Sequence, residues 1–164
     1  MCIYYIEMFN PILHKKEKSC DDWNTPKSAI DAIIHLIPKG SIVYEPFTND
    51  TSKSHIYIHE HGFKTRSHIG DFYTDLPEFD FIFSNPPFSE IKSVLSRLFE
   101  INKPFIIITP LSILVREYFK PHRDKVRVII PNKRIQFEKD GSNDRSPFDC
   151  VYLTNLPLDK LIYL

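Results

Sequence analysis

The stretch FDFIFSNPPFSE, residues 79 to 90, sets a run of strand-forming residues directly against two consecutive prolines. Proline fixes φ, offers no backbone N–H and pushes the preceding residue out of the α region. A strand that runs into Asn85-Pro86-Pro87-Phe88 therefore cannot continue, and its end is stiff. Stiffness there holds the Asn85 amide and the proline carbonyls as oriented acceptors, with the Phe88 ring beside them. Such a set suits a flat heterocycle bearing an exocyclic amine: two acceptors take the two N–H bonds and the ring stacks on the base. The lone pair of such a nitrogen is delocalised into the ring, and two acceptors favour the pyramidal form that frees it for attack. A rigid turn with no chemical role is the plainer reading of the same four residues, and context decides between them.

The rest of the chain supplies that context. Thr25-Pro26 reads as an N-cap and first-turn pair, and Ile30, Ile33, Ile34 and Ile37 follow one helical face before Pro38-Lys39-Gly40 stops it. SIVYEP, residues 41 to 46, reads as a buried strand, followed by the polar segment FTNDTSKS and a helix to about His61. FKTRSHI is a weaker strand, FDFIFS a strong one, and Ile91, Val94, Leu95, Leu98 and Phe99 mark an apolar helix face. PFIIITP has the uniformly apolar character of a strand covered on both faces. A short helix is expected near residues 112 to 119, and KVRVIIP and FDCVYLTN are expected to pair as a terminal antiparallel hairpin across a Gly, Ser, Asn and Asp loop. Strand-helix alternation of this kind predicts an α/β fold with a doubly wound, mostly parallel sheet. In such sheets ligands lie outside the carboxyl ends of the strands, an address met by residues 45 to 52 and 84 to 88.

Length and composition narrow the classes. A chain of 164 residues accommodates one α/β domain, assigned to residues 21–164 behind an N-terminal extension, 1–20. Apolar residues at 42% and aromatics at 13% give ample core material, which argues against disorder. Lys plus Arg and Asp plus Glu balance at 21 each, so any attraction to nucleic acid must come from a local patch rather than a global field. Between Lys103 and Arg145 there is such a local excess of cations, and Lys133, Arg134, Phe137 and Lys139 are the candidate nucleic-acid-binding set; a solvated charged face is the alternative. No apolar run is long enough to span a bilayer and MCIYYIEMF lacks the marks of a signal peptide, which predicts an intracellular protein, in a host cell or a virion, with no membrane partner. Cys2, Cys20 and Cys150 form no C-x-x-C pair and read as free thiols. His55 and His59 share helical i, i+4 spacing without a third ligand, so no metal is expected. There is neither a glycine-rich phosphate loop nor a nucleophile elbow.

In order along residues 20 to 155, WNTPKSAI, VYEPFTND, GDFYT, SNPPF, KPFIIITP, VIIPNKRIQF and FDCVYLTN resemble the motif series of S-adenosylmethionine-dependent amino methyltransferases, in particular small N6-adenine methyltransferases of phage and large-virus type. The resemblance implies a Rossmann-like class I methyltransferase domain, S-adenosyl-L-methionine as cofactor, and transfer of its methyl group to the N6 amine of adenine in nucleic acid, DNA rather than RNA. Asn85, Pro86, Pro87 and Phe88 would then hold the target amine and base. Trp23, Thr25 and Pro26 would line the methionine end of the cofactor, Glu45, Pro46, Phe47 and Asn49 the first-strand loop, and Asp71 with Phe72 would meet the adenine ring. Similar loops occur in methyltransferases of guanine N2 in RNA and of protein glutamine. With no room for a large target-recognition domain, little sequence selectivity is expected without a homo- or hetero-oligomeric partner.

Two features depart from the family pattern. None of the four glycines, at 40, 62, 70 and 141, falls in the loop after the first strand. The end of the second strand reads Arg66-Ser67-His68, with no carboxylate for a ribose. Two readings follow: an enzyme whose cofactor contacts are rebuilt, for example on Asn49 or Asp50, or a non-catalytic relative that binds nucleic acid or a partner chain.

Overall fold

The structure is a computed structural model that describes residues 23–139, 146–159 and 161–164. The extension 1–20, with Cys2 and Cys20, and the Gly, Ser, Asn and Asp loop lie outside those residues. One seven-stranded sheet organises the fold: β1 (Ile42–Glu45), β2 (Lys64–Ser67), β3 (Phe81–Ser84), β4 (Phe105–Pro110), β5 (Arg127–Ile130), β6 (Cys150–Thr154) and β7 (Leu161–Tyr163), in the order β2-β1-β3-β4-β6-β5-β7. All neighbours pair in parallel except β6, which is antiparallel to both β4 and β5. The predicted hairpin of β5 and β6 therefore forms. It does not end the sheet, however: β6 inserts between β4 and β5, and the unforeseen β7 becomes the edge beside β5. Three residues of alternating exposure at the end of the chain give too short a pattern to be read as a strand.

Strand alternation sends side chains to two apolar layers. Val43, Phe81, Phe83, Ile106 and Ile108 pack with Ile30, Ile33 and Ile58 on one face. Tyr44, Ile82, Phe105, Ile107 and Leu153 pack with Ile91, Val94, Leu95 and Leu98 on the other. The helix carrying the latter set, α3 (Ile91–Ile101), ends at Asn102 in the left-handed region with φ 54°. Each of its four buried residues contributes about 1.5–3 kcal/mol of apolar burial. Phe99 is only half-buried and stacks on His122, with centroids 4.8 Å apart.

On the first face lie α1 (Lys27–Asp31) and α2 (Ser54–Glu60). The helix predicted from Thr25 through Ile37 is shorter than its pattern: α1 has five residues, then the chain tightens into a 3₁₀ turn, Ile34–Leu36. Thr25 does not cap it. Pro26 occupies the N-cap and no side chain bonds the first turn, because the preceding segment is extended and engaged elsewhere. Ile30, Ile33 and Ile37 are buried as the spacing requires, while Ile34 is half-buried and Ala29 packs inward instead. The helix expected at 112–119 is a pair of 3₁₀ turns, Leu111–Val115 and Glu117–His122, the second containing Pro121. Proline has no N–H to give and disfavours a longer α-helical run there.

Candidate functional site

β1 leads through α2 to β2 on one side of it, whereas β3 lies on the other side of β1. Strand order thus reverses between β1 and β3, the place where doubly wound sheets bind ligands. A cavity of about 330 Å³ opens there, lined by Trp23, Asn24 and Thr25, by residues 45 to 49 with Ser52 and Ser54, and by Ser84, Asn85 and Pro87. Three unrelated stretches of sequence converge on it because β1 and β3 are adjacent and end at the same level.

Asn85 is held by its nitrogen. Its Nδ2 donates to the Trp23 carbonyl at 3.1 Å, while its Oδ1 is buried and has no partner among the described residues. The amide thereby presents an acceptor. The Pro87 carbonyl accepts from Glu90 N–H at 3.0 Å in the following 3₁₀ turn. Phe88 is half-buried, its ring edge-on to Phe148 at 5.0 Å and Phe137 at 6.4 Å. The residue before Asn85, Ser84, is 3% exposed and its hydroxyl also lacks a partner among the described residues.

Glu45 ends β1 and is buried, 3% exposed. The Ser54 hydroxyl donates to its Oε2, and Oε1 has no partner among the described residues. Removal of the carboxylate from water pushes its pKa up to about 7, the Ser54 bond offsetting part of the shift. Among the described residues no other ionisable side chain lines the cavity. Buried acceptors without donors are costly, so Glu45, Ser84 and Asn85 together favour a ligand rich in N–H groups, including a cation. That donor pattern fits the ammonium of S-adenosylmethionine beside Glu45 and a substrate amine beside Asn85.

The loop 46–53 achieves its shape without glycine. Asn49 Oδ1 accepts from Thr51 N at 3.0 Å, Thr51 Oγ1 at 2.9 Å and Ser52 Oγ at 3.0 Å, and Asn49 N donates to Ser52 Oγ at 3.0 Å. Among the described residues only His68 and Asn102 combine a side chain with positive φ, so this loop needs no left-handed residue. Asn24, 8% exposed, donates from Nδ2 to Thr51 Oγ1 at 2.8 Å. Its backbone exchanges two bonds with Glu138, at 2.7 and 3.0 Å.

Of the residues singled out from sequence, the cavity gathers Trp23, Thr25, Glu45, Pro46, Phe47, Asn49, Asn85 and Pro87. Pro26 and Pro86 are buried beside it in sequence but do not line it. Phe72 lies behind the wall, buried, its ring edge-on to Phe47 at 5.0 Å. Asp71 is exposed; its carboxylate accepts from Tyr73 N at 2.8 Å and Thr74 N at 2.9 Å, bonds that hold its pKa below the usual value. Gly70 permits that turn: its φ is 70°, and a Cβ at this position would collide with the Asp75 carbonyl.

The basic set disperses. Lys133 is exposed, whereas Arg134 donates to Asp149 at 2.6 Å and to the Ser146 carbonyl at 2.8 Å, bracing the β5–β6 connection. Phe137 is 4% exposed and belongs to the core, and Lys139 sits 5.7 Å from the Trp23 ring centroid. At the end of β2, His68 adopts φ 55° and its ring meets that of His55 edge-on at 5.7 Å. Among the described residues no group of three potential ligands is placed to hold a metal, and no helix is long and apolar enough to cross a membrane.

Thr48, Ser52 and Ser84 lie within the two loops expected to bind a ligand but were not singled out, and sequence reasoning missed Asn24 and Ser54 in the lining. The density of hydroxyls in FTNDTSKS immediately after a buried strand was the available signal.

Comparison with solved structures places this architecture in a known class. A Pyrococcus horikoshii protein assigned as an RNA methyltransferase superposes with TM-score 0.55 at 15% identity, over 85% of this chain and 89% of that one. A dimethyladenosine transferase from Plasmodium falciparum gives TM-score 0.51 at 13% identity, over 79% of this chain and 61% of that one. No protein-family model matches the sequence, and no curated protein does. The fold is that of the class I, S-adenosylmethionine-dependent methyltransferases.

Proposed function

We propose that the chain transfers a methyl group from S-adenosyl-L-methionine to the N6 amine of adenine in nucleic acid, DNA in preference to RNA. The observation that carries this reading is the Asn85 amide, anchored by its nitrogen and buried with its oxygen unpartnered among the described residues, at the mouth of a cavity between β1 and β3. Of the solved structures named above, one is assigned as an RNA methyltransferase and another is named a dimethyladenosine transferase, which favours a nucleic-acid amine as acceptor.

Asn85 Oδ1 and a carbonyl of the proline pair accept the two N–H bonds of the amine, and Phe88 stacks on the base. Glu45 holds the ligand's ammonium, with Trp23, Thr25, Pro46, Phe47 and Asn49 around it. The bound cofactor supplies an electrophilic methyl group on sulfonium. A base drawn from a duplex must be flipped to reach this loop. Lys133 and Lys139 offer cations to the phosphate backbone; Arg134 and Phe137 act by shaping the segment that carries them.

One observation favours the second reading, a non-catalytic subunit that binds nucleic acid or a partner: β2 ends at Ser67-His68, with no carboxylate for a ribose. Incubation of the purified chain with labelled S-adenosylmethionine and single- or double-stranded DNA and RNA, followed by nucleoside identification, separates the two. N6-methyladenine is expected, most abundantly from DNA. Methylated guanine would overturn the base assignment, and no product with any acceptor would favour the binding role.

A further inference from the structure

We propose that Asn24 is a positioning residue that sets the glycine-free loop 46–53 in the shape the cofactor requires. This rests on the reading of the cavity as a cofactor site. A loop that approaches a ligand through its backbone ordinarily relies on glycine. Here the loop is shaped instead by the hydrogen bonds around Asn49, and those bonds are largely exposed: Asn49 and Thr51 both face solvent. A small exposed ring of bonds is weak in isolation. Its tie to the interior is Asn24, whose Nδ2 donates a hydrogen bond to Thr51 Oγ1 at 2.8 Å while that hydroxyl donates one to Asn49 Oδ1 at 2.9 Å. Donors and acceptors align in one direction, so each bond polarises the next. Ser52 Oγ approaches Asn24 Oδ1 at 3.5 Å from the other side.

Asn24 can serve as an anchor because it is itself fixed. It is buried, and its N–H and carbonyl are both bonded to Glu138. The adjacent Trp23 carbonyl receives Asn85 Nδ2, so the same short segment contacts both loops of the site. Asparagine is suited to this place because its amide sets a donor for Thr51 on a short stem.

The test is calorimetric titration of the full chain with S-adenosylhomocysteine in Asn24→Ala, Thr51→Val, Thr51→Ser and the double variant Asn24→Ala/Thr51→Val. Thr51→Val keeps shape and removes the hydroxyl at an exposed site, so the fold is retained. Asn24→Ala removes the bond to Thr51, and Thr51→Val removes that bond together with the one to Asn49 Oδ1, which predicts about tenfold weaker binding in each. Thr51→Ser restores affinity to within about twofold, and the double variant is no weaker than the weaker single, as expected of residues acting through one bond. Wild-type affinity in Thr51→Val, or losses that multiply in the double variant, would overturn the assignment while leaving the cofactor reading intact. Failure of the unaltered chain to bind at all would overturn the cofactor reading and this with it.

Discussion

The two loops that meet at the cavity are made rigid by different means. Residues 85–88 owe their stiffness to covalent restriction, two fixed φ angles and a short following 3₁₀ turn, and one polar side chain is left with an unused acceptor. Residues 46–53 owe theirs to a mesh of hydrogen bonds among Asn49, Thr51 and Ser52. A proline-built loop needs no partners and so can offer its polar atoms to a substrate. A hydrogen-bonded loop spends those atoms on itself and is sensitive to every side chain in the mesh.

The largest expected effect follows from the first loop. Asn85→Ala should lower methyl transfer by about 10²–10³-fold, the scale on which removal of one oriented polar group acts. Affinity for S-adenosylhomocysteine should change less than about twofold. Single-turnover kinetics and calorimetry on the same preparation check both halves; equal loss of binding and turnover would mean that the two loops are not separable.

Glu45, where the loops meet, predicts a pH effect. Its folded pKa lies above the ordinary carboxylate value of 4.5, at about 7. Between these limits the unfolded chain has lost the proton that the folded chain keeps, so stability falls as pH rises, by about 3 kcal/mol across the window. His55 and His122, whose pKa values burial lowers, act in the opposite sense near pH 6.5, because the unfolded chain binds their protons first. The readout is therefore the difference between the unaltered protein and Glu45→Gln in urea unfolding from pH 4.5 to 8. That difference should move steadily in favour of the glutamine variant; a constant difference would place the carboxylate in water.

Within the second loop, Asn49→Ala should weaken S-adenosylhomocysteine about tenfold, through loss of the acceptor shared by three donors. Asn49→Gly should be no better, since nothing in the loop requires positive φ. If glycine at 49 improved binding, the loop would be a distorted version of a glycine-built one rather than a different solution. The smallest effect is expected at Arg134: Arg134→Ala should cost no more than about 1 kcal/mol by thermal unfolding, because its ion pair with Asp149 is solvent-exposed.

Sequence makes the sheet legible wherever burial is strong. FDFIFS and PFIIITP form β3 and β4, and the helical spacing after residue 90 forms α3. The strand order cannot be read, because nothing in KVRVIIP or FDCVYLTN says that β6 must lie between β4 and β5, and β7 is too short and too exposed to signal itself. At the site, SNPPF announces the covalently stiff loop because proline's effect is local. Asn24 is inconspicuous between Trp23 and Thr25 because its role depends on Thr51, 27 residues away, and on Glu138 beyond that. A lone acid at a strand end, as Glu45 is, reads as a solvated carboxylate; only the fold shows α2 closing over it with Ser54. Phe137 illustrates the converse: an aromatic among lysines reads as a stacking residue, yet it is buried in the core with its ring beside that of Phe88.

Calorimetric titration of the purified chain with S-adenosylmethionine, in parallel with S-adenosylhomocysteine, tests the central claim most directly. Micromolar, one-to-one binding is predicted, abolished or strongly weakened by Glu45→Leu in protein that remains folded by circular dichroism. Absence of binding to the folded, unaltered chain would contradict the claim that a hydrogen-bonded loop has taken over the work of a glycine-built one.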